Sequence, residues 1–342
     1  MFQMNCAAKI ENFGPVWGAS GVEGFFGLGN EYRHHRVPII GPRFKGMTFT
    51  AKTTTLPKNA GNMPLNANLQ PIEWLPQCIK LNALEGAALN AVGLSGPGAI
   101  DLFSRGHWQQ RTKPFMVSFM PIAKGESLNR IMEFDDFARL LEWEAKRFQA
   151  PVAAQVNLSC PNVGNVQSSP EHFQQEVLAL LEKGARLRNA GVVLIPKFNI
   201  LTDPEIIVAV QKQGIATAVC ISNTIPWRAY ADENIPGGKL INQIPWTELF
   251  GEMSPLGKFG GTGGGLSGEP IRPAVQAYIA HLKQRVHKLH INACGGIMHP
   301  RHVDEYHAAG ADSISIGTAA ILRPWRVQSI IQRAHQLRWE GK

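Results

Sequence analysis

The sequence of 342 residues predicts an α/β protein of the (β/α)8 type, a TIM barrel with long loops at the C-terminal face of its strands. Three observations support this fold class. Eight short runs of β-branched and apolar residues recur along the chain, and segments with the 3.6-residue period of a helix follow most of them. Polar residues collect where the runs end, which is the face on which such barrels carry their chemistry.

The predicted strands are residues 16–20, 47–52, 115–120, 152–158, 192–197, 216–222, 289–293 and 313–317. Ser169 followed by Pro170 predicts one helix start, and Asp203 followed by Pro204 predicts another, because proline is favoured at the first helical position. Gly214 and Gly310 are typical of helix ends. A further apolar stripe indicates a helix and is formed by Phe137, Leu140, Leu141 and Phe148.

Two stretches interrupt this alternation. A polar, glycine-rich insertion follows the first strand, and a long segment rich in proline and glycine follows the sixth. Loops of this length in a compact domain are usually lids or binding loops. We therefore expect one domain, residues 1–342, with lid or insert loops at about 22–46 and 224–268.

Composition limits the classes of function. No apolar stretch approaches the ~20 residues of a membrane span, and the amino terminus does not resemble a secretory signal. The five cysteines are scattered and odd in number, which favours a reducing, cytoplasmic compartment. The net charge of +8 is spread along the chain and predicts a generally basic surface rather than a nucleic-acid site. No metal site is expected. We predict solvated histidines, including His34, His35, His299, His302 and His307, because no Cys or carboxylate completes a familiar spacing.

Glycine pairs follow the last two predicted strands. Gly295 and Gly296 come after the seventh strand, and Gly317 and Thr318 come after the eighth. Barrels commonly bind phosphate here through backbone N–H groups, and glycine lets the backbone approach the anion closely. The sequence therefore favours a phosphate site, to which the glycine-rich run 260–268 contributes either a wall or a flexible lid.

Cys160 lies between two asparagines on the loop after the fourth strand, followed by a proline. A thiolate in this position could remove a proton from a substrate carbon, whereas a cysteine without such a role is usually a small buried hydrophobe. Asparagines after several strands suit a ring with alternating C=O and N–H groups, because each amide both donates and accepts. Lys52 or Lys197 could hold a carboxylate or the electron-rich edge of a reduced flavin.

The segment 157–162, with the sequence NLSCPN, resembles the signature loop of the dihydroorotate dehydrogenases of the soluble class with a Cys base. Supporting matches extend from about residue 16 to 321. The resemblance implies that FMN is the cofactor, that Cys160 takes a proton from C5 of dihydroorotate, and that hydride leaves C6 for flavin N5. It implies substrate binding by Lys52, Asn90, Asn157, Asn162, Asn223 and Thr224. It implies FMN binding by Ala19, Ser20, Gly21, Lys52, Thr53, Asn157, Lys197, Ser222, Gly264, Gly265, Gly268, Gly295, Gly296, Gly317 and Thr318. A homodimer and an electron-transfer partner subunit are further expectations.

The sequence departs from the family pattern in three places. The insertion 23–43 is longer than expected, no Arg stands near Pro64, and Thr224 replaces the Ser of many Cys-type members. Pyrimidine reduction by a dihydropyrimidine dehydrogenase-like enzyme is therefore an alternative, although Asn162 favours dihydroorotate. A flavoprotein resembling the tRNA dihydrouridine synthases is disfavoured by Ser159 and by the absence of a further helical domain, and a non-catalytic flavin-binding barrel by the amides around Cys160. The electron acceptor stays open between fumarate, a quinone and a nicotinamide-linked subunit.

Overall fold

The computed structural model describes residues 7–29, 32, 35, 37, 41–158 and 169–339. Its strands, in chain order, are β1 (Val16–Gly18), β2 (Phe49–Thr50), β3 (Ile79–Asn82), β4 (Ala87–Asn90), β5 (Phe115–Phe119), β6 (Val152–Asn157), β7 (Val193–Phe198), β8 (Ala218–Ile221), β9 (Ile225–Pro226), β10 (Gly265–Gly268), β11 (His290–Cys294) and β12 (Ser313–Ile316). Its α-helices are α1 (Ala99–Ser104), α2 (Ser127–Ala145), α3 (Pro170–Asn189), α4 (Pro204–Gln213), α5 (Gly238–Asn242), α6 (Trp246–Phe250), α7 (Arg272–Lys283), α8 (Pro300–Ala308), α9 (Ala319–Leu322) and α10 (Val327–Gln336).

Eight of the strands form a nearly closed parallel barrel in the order β1-β12-β11-β8-β7-β6-β5-β2. A parallel bridge between Trp17 and Thr48 brings the first and last of them together. Each barrel strand coincides with one of the eight predicted runs, and helices lie between them. The predicted fold class is thereby confirmed.

The predicted helix boundaries follow from local capping. The Ser169 side chain accepts from the backbone N–H of His172 at the start of α3, and Asp203 accepts from the N–H of Glu205 at the start of α4. Gly214 ends α4 with a φ of 71°, in the left-handed region that glycine adopts without a Cβ penalty. The apolar stripe predicted near residue 140 falls on α2, which ends before Phe148.

A second, antiparallel sheet, here called the cap sheet, consists of β3, β4, β10 and β9 in that order. It combines residues 79–90, for which no strand was predicted, with parts of the segment 224–268 that was expected to be loop. That segment also contains α5 and α6, so it carries regular structure of its own. The cap sheet matters for function because Asn90 and Ser267, which belong to it, line the main cavity described below.

Inside the barrel the side chains change from apolar to polar along the strands. Met116, Ala153, Val193 and Ile195 belong to one buried apolar cluster. Asn157 lies four residues after Ala153 on β6, and Lys197 lies two residues after Ile195 on β7. Since successive side chains of a strand point to opposite faces, these residues share the inner face with the cluster. The barrel thus has a dry interior and a polar carboxyl end. No described helix is long and apolar enough to cross a membrane.

Candidate active site

The main cavity lies at the carboxyl end of the barrel and has a volume of about 630 Å³. Seven barrel strands deliver residues to it where they end, and the cap sheet and the segment before β3 supply most of the others. The predicted site residues among its lining are Ala19, Ser20, Gly21, Lys52, Thr53, Asn90, Asn157, Lys197, Ser222, Asn223, Thr224, Gly295, Gly296, Gly317 and Thr318. The volume falls in the range of small-molecule and cofactor pockets.

Two amides that face the cavity are hydrogen-bonded to each other. Asn223 donates from Nδ2 to Asn157 Oδ1 over 2.7 Å, and its own Oδ1 accepts from the backbone N–H of Thr224 at 3.0 Å. Both side chains are buried. The contact fixes the orientation of both amides, so the site presents a preorganised set of donors and acceptors to a ligand.

We expect Asn223→Ala to lower the free energy of unfolding by about 1–2 kcal/mol, because Asn157 Oδ1 and the Thr224 N–H lose their partner. Urea denaturation of Asn157→Ala, Asn223→Ala and the double variant measures this as a cycle. A coupling energy of about 1 kcal/mol is expected between the two positions. Simple additivity of the two single effects would show that the contact contributes nothing.

Two lysines are buried at the same cavity. Lys52 donates from Nζ to Ser95 O over 2.5 Å, and its ammonium lies 5.0 Å from the centre of the Phe25 ring. Lys197 is 7% exposed, and its ammonium makes no hydrogen bond or ion pair with any residue in the described part of the chain. A buried ammonium is costly without an electron-rich partner. Lys197 therefore indicates a ligand with acceptor atoms or negative charge at this point of the cavity.

The opposite end of the cavity has the features of a phosphate site. Thr318 donates from its hydroxyl to Ser267 Oγ over 2.9 Å, so two hydroxyls from different sheets meet there. Gly296 has a φ of 67°, and a Cβ on it would lie 2.6 Å from Arg272 Cβ and 2.8 Å from Gly268 O. Only glycine fits such a position without displacing its neighbours. Together with the buried amides and lysines of the same cavity, these residues would fit FMN, with the backbone after β11 and β12 available to hold its phosphate.

Three glycines that were predicted to bind FMN lie in or beside the cap sheet and do not line the main cavity. Gly265 and Gly268 lie within β10 and Gly264 immediately precedes it, and none of them lines the cavity. A Cβ on Gly268 would overlap the carbonyl of Gly86 in the adjacent strand, so its small size serves the close pairing of β10 with β4. Ser267, which had not been singled out, is the residue of this strand that reaches the cavity.

A chain of hydroxyls supports the wall formed by the first two strands. Ser20 Oγ lies 2.7 Å from Thr53 Oγ1, which in turn lies 2.9 Å from Ser118 Oγ. Ser20 also donates to Ala51 O at 3.0 Å. These contacts hold Ser20 and Thr53 in fixed rotamers at the cavity, and Ser118 lies behind them in the barrel.

Cys294 is a cavity residue that sequence reasoning noted only as the end of a strand. It is 8% exposed and lies beside the buried Cys220 of the neighbouring strand. A hydrogen bond from the Cys220 thiol lowers the pKa of Cys294 to about 7, with Lys197 acting in the same direction and burial opposing both. The same contact, together with burial, raises the pKa of Cys220. A signal was present in the sequence, since both cysteines stand near the carboxyl ends of adjacent barrel strands.

In flavin-free protein, we expect iodoacetamide to alkylate Cys294 with a rate that is half-maximal near pH 7, because the thiolate is the reactive form. Cys78 is the internal control: burial raises its pKa to about 11, so it should react only at far higher pH. Bound FMN should protect Cys294. Mass spectrometry of digested protein resolves the individual sites, and equal labelling of Cys294 with and without FMN would place it away from the flavin.

Cys160 and Asn162, the predicted base and a predicted substrate ligand, lie outside the described residues. Among the residues that are described, no group of three or more His, Cys, Asp or Glu side chains could hold a metal ion. The prediction that the histidines are solvated was wrong for His302, which is 2% exposed because α8 packs it beneath the loop after β11.

A parallel barrel whose main cavity is lined by buried amides, lysines and the glycines that follow its last two strands is typical of a cofactor-dependent enzyme of the (β/α)8 class. The family model for dihydroorotate dehydrogenase matches residues 48–337. The chain belongs to the dihydroorotate dehydrogenase family, as the sequence resemblance predicted. It is therefore an FMN-dependent oxidoreductase that acts on a CH–CH group.

Individual relatives agree with this assignment. The catalytic subunit of dihydroorotate dehydrogenase B (NAD(+)) from Oceanobacillus iheyensis is 26% identical over 337 residues, which cover 96% of this chain and 91% of that protein. Dihydroorotate dehydrogenase A (fumarate) from Lactobacillus delbrueckii subsp. bulgaricus is 27% identical over 239 residues, covering 69% and 67%. The crystal structure of DHODH in complex with ferulenol from Eimeria tenella superposes with a TM-score of 0.61 at 18% identity, covering 93% of this chain and 80% of that one, and supports the fold.

Proposed function

We propose that this chain oxidises dihydroorotate to orotate in pyrimidine biosynthesis, with FMN as the electron acceptor and Cys160 as the base. The observation that carries the proposal is the buried Asn157–Asn223 pair on the same cavity as the buried Lys197 and the glycines that follow β11 and β12. This arrangement offers a neutral hydrogen-bonding surface for a pyrimidine ring and a cation for an electron-rich group.

Different residues of the chain are proposed to bind the pyrimidine ring and the substrate carboxylate. Asn90, Asn157, Asn223 and Thr224 bond the C=O and N–H groups of the pyrimidine, with Asn162 completing the set. Lys52 offers its ammonium to the substrate carboxylate and to the flavin. Because these groups are held by the protein before substrate arrives, little ordering is needed on binding.

The reaction removes two hydrogens from the substrate. Cys160, as its thiolate, takes the C5 proton, and the thiol later returns it to water. FMN, when bound, supplies a two-electron acceptor for the hydride that leaves C6. Lys197 would stabilise negative charge on the reduced cofactor. The segments at about 22–46 and 224–268 are proposed to act as lids that exclude water from the cavity. Residues 1–342 are proposed to form a single FMN-binding domain.

An anaerobic visible spectrum tests this proposal, recorded before and after dihydroorotate is added to the FMN-loaded protein. Rapid bleaching of the flavin band is the expected result. If only a dihydropyrimidine without the carboxylate bleaches it, the substrate is that of the pyrimidine-reducing relatives, for which Thr224 at the cavity provides a reason. Failure of the protein to bind FMN at all would refute the cavity assignment.

Association and electron transfer complete the proposal. We propose a cytoplasmic homodimer, in keeping with the three free cysteines Cys78, Cys220 and Cys294 in the described part of the chain. The O. iheyensis relative is named as the catalytic subunit of an NAD(+)-dependent enzyme, which supports an electron-transfer partner here. Light scattering gives the oligomeric state. Substantial NAD+ reduction by the isolated chain would argue against a separate partner.

A further inference from the structure

A second cavity, of about 440 Å³, lies outside the site described above and shares no lining residue with it. The turn between β3 and β4, the start of α8 and the segment after α9 enclose it. We call it the arginine cavity because Arg301, Arg323 and Arg326 all line it. Its volume exceeds what a single small ion needs and falls in the range of small-molecule pockets.

Two of the three guanidinium groups are held by hydrogen bonds to backbone carbonyls. Arg323 is fixed by donating from Nη1 to Leu322 O at 2.8 Å and from Nη2 to Ala83 O at 2.7 Å. Arg326 donates to Met298 O at 3.5 Å, a weak bond. Arg301 is exposed, and its guanidinium makes no hydrogen bond or ion pair within the described ranges. Because guanidinium groups do not deprotonate, the cavity keeps three positive charges at any physiological pH.

Two carboxylates, Glu85 and Glu269, also line the cavity. Glu269 is already engaged, since its Oε1 lies 3.0 Å from Arg272 Nη2, a residue outside the cavity lining. Glu85 is thus the one carboxylate of the described lining that an ion pair does not occupy. The balance of charge in the cavity favours an anion.

His302 provides an independent indication. Its Nε2 is buried and has no hydrogen-bond partner among the described residues. Nδ1 lies 3.1 Å from both Met298 N and Gly296 O. The carboxylate of Glu269, 3.5 Å from Nε2, favours a proton on Nε2, which leaves Nδ1 to accept from Met298 N–H. The Nε2–H faces the Glu269 carboxylate only at the long distance of 3.5 Å, so a bound oxyanion could accept a closer hydrogen bond from it.

We propose that the arginine cavity binds the phosphate group of a small phosphorylated molecule other than FMN. Guanidinium groups match phosphate oxygens in two-point contacts, which distinguishes this ligand class from simple halides. The amino end of α8, a helix of nine residues that begins at Pro300, adds its positive dipole at the same place. The space beyond the arginines accommodates the organic part of the ligand. This inference does not depend on the identity of the oxidised substrate.

Calorimetry on the FMN-loaded protein tests the proposal, with inorganic phosphate, ribose 5-phosphate and ribose as probes. We expect saturable binding of the first two and none of ribose. The double variant Arg301→Gln, Arg326→Gln should weaken binding by at least about tenfold, since each charge-assisted bond contributes more than 1 kcal/mol. Arg333→Gln is the matched control, because Arg333 pairs with Asp304 and does not line the cavity.

Three results would overturn the proposal. The first is an absence of saturable phosphate binding at concentrations up to about 10 mM. The second is equal affinity in the double variant and the wild type. The third is release of FMN as phosphate binds, seen in the visible spectrum, since the anion would then occupy the flavin site.

Discussion

Replacing Cys160 by serine is expected to slow flavin reduction by dihydroorotate by about 10²–10⁴-fold at neutral pH, the usual contribution of a positioned general base. A hydroxyl is a far weaker acid than a thiol, so almost no alkoxide is present to take the C5 proton. FMN should remain bound, because the cavity residues that fit its phosphate and ring are untouched. Stopped-flow absorbance under anaerobic conditions measures the rate.

The pH profile separates a base from a structural residue. The wild-type rate should level off above the thiol pKa, ordinarily about 8.5, whereas the serine variant should show no such plateau. Cys78→Ser is the control, since Cys78 is buried and does not itself line the main cavity, so its replacement should leave the rate unchanged. Wild-type rates in Cys160→Ser would remove the base assignment.

Gly296→Ala is expected to weaken FMN binding by at least about tenfold. The added Cβ would lie 2.6 Å from Arg272 Cβ and 2.8 Å from Gly268 O, so the loop after β11, which we propose to hold the FMN phosphate, must move away from its present position. Fluorescence titration of flavin-free protein with FMN measures the affinity, because the emission of FMN changes when it binds.

Gly214→Ala is a matched control for backbone strain. Gly214 has a φ of 71°, against 67° for Gly296, but nothing lies within 4 Å of a Cβ placed on it. Both variants should lose about 1–2 kcal/mol of stability from the left-handed backbone, and only Gly296→Ala should lose FMN. Equal affinity in the two variants would mean that Gly296 does not shape the phosphate site.

The barrel was predictable because its strands are buried on both faces. The five residues of β5 are all buried and all but Ser118 are apolar, and the residues of β7 are likewise buried and mostly apolar. The predicted convergence of Lys52, Asn157, Lys197 and Asn223 also followed from sequence, since parallel strands bring their carboxyl ends to one rim. The hydrogen bond between Asn157 and Asn223 did not, because β7 separates their strands and only the curvature of the barrel brings the amides together.

The cap sheet escaped prediction for a different reason. Strand β4 has the sequence AALN, and alanine has a low preference for strands. Its four residues are too few for a periodic pattern. Its partner β10 begins and ends with glycine, which also has a low preference for strands. Pairing with a distant segment, rather than local preference, makes these residues a strand. Gly264, Gly265 and Gly268 were predicted to bind FMN but do not line the cavity, for the same reason: they lie against β4, and the local sequence does not reveal that pairing.

The cap sheet also constrains the order in which the chain can reach its active form during synthesis. Asn90 is paired with Gly265, 175 positions later, and donates from its side chain to the carbonyl of that glycine. While the ribosome is still adding the intervening residues, β4 can pair with β3 but not with β10, and closing so long a loop carries an entropic cost that the barrel must first offset. A nascent chain truncated before residue 265 would therefore lack the hydrogen bond from the Asn90 side chain to Gly265 even where its first barrel strands had already paired.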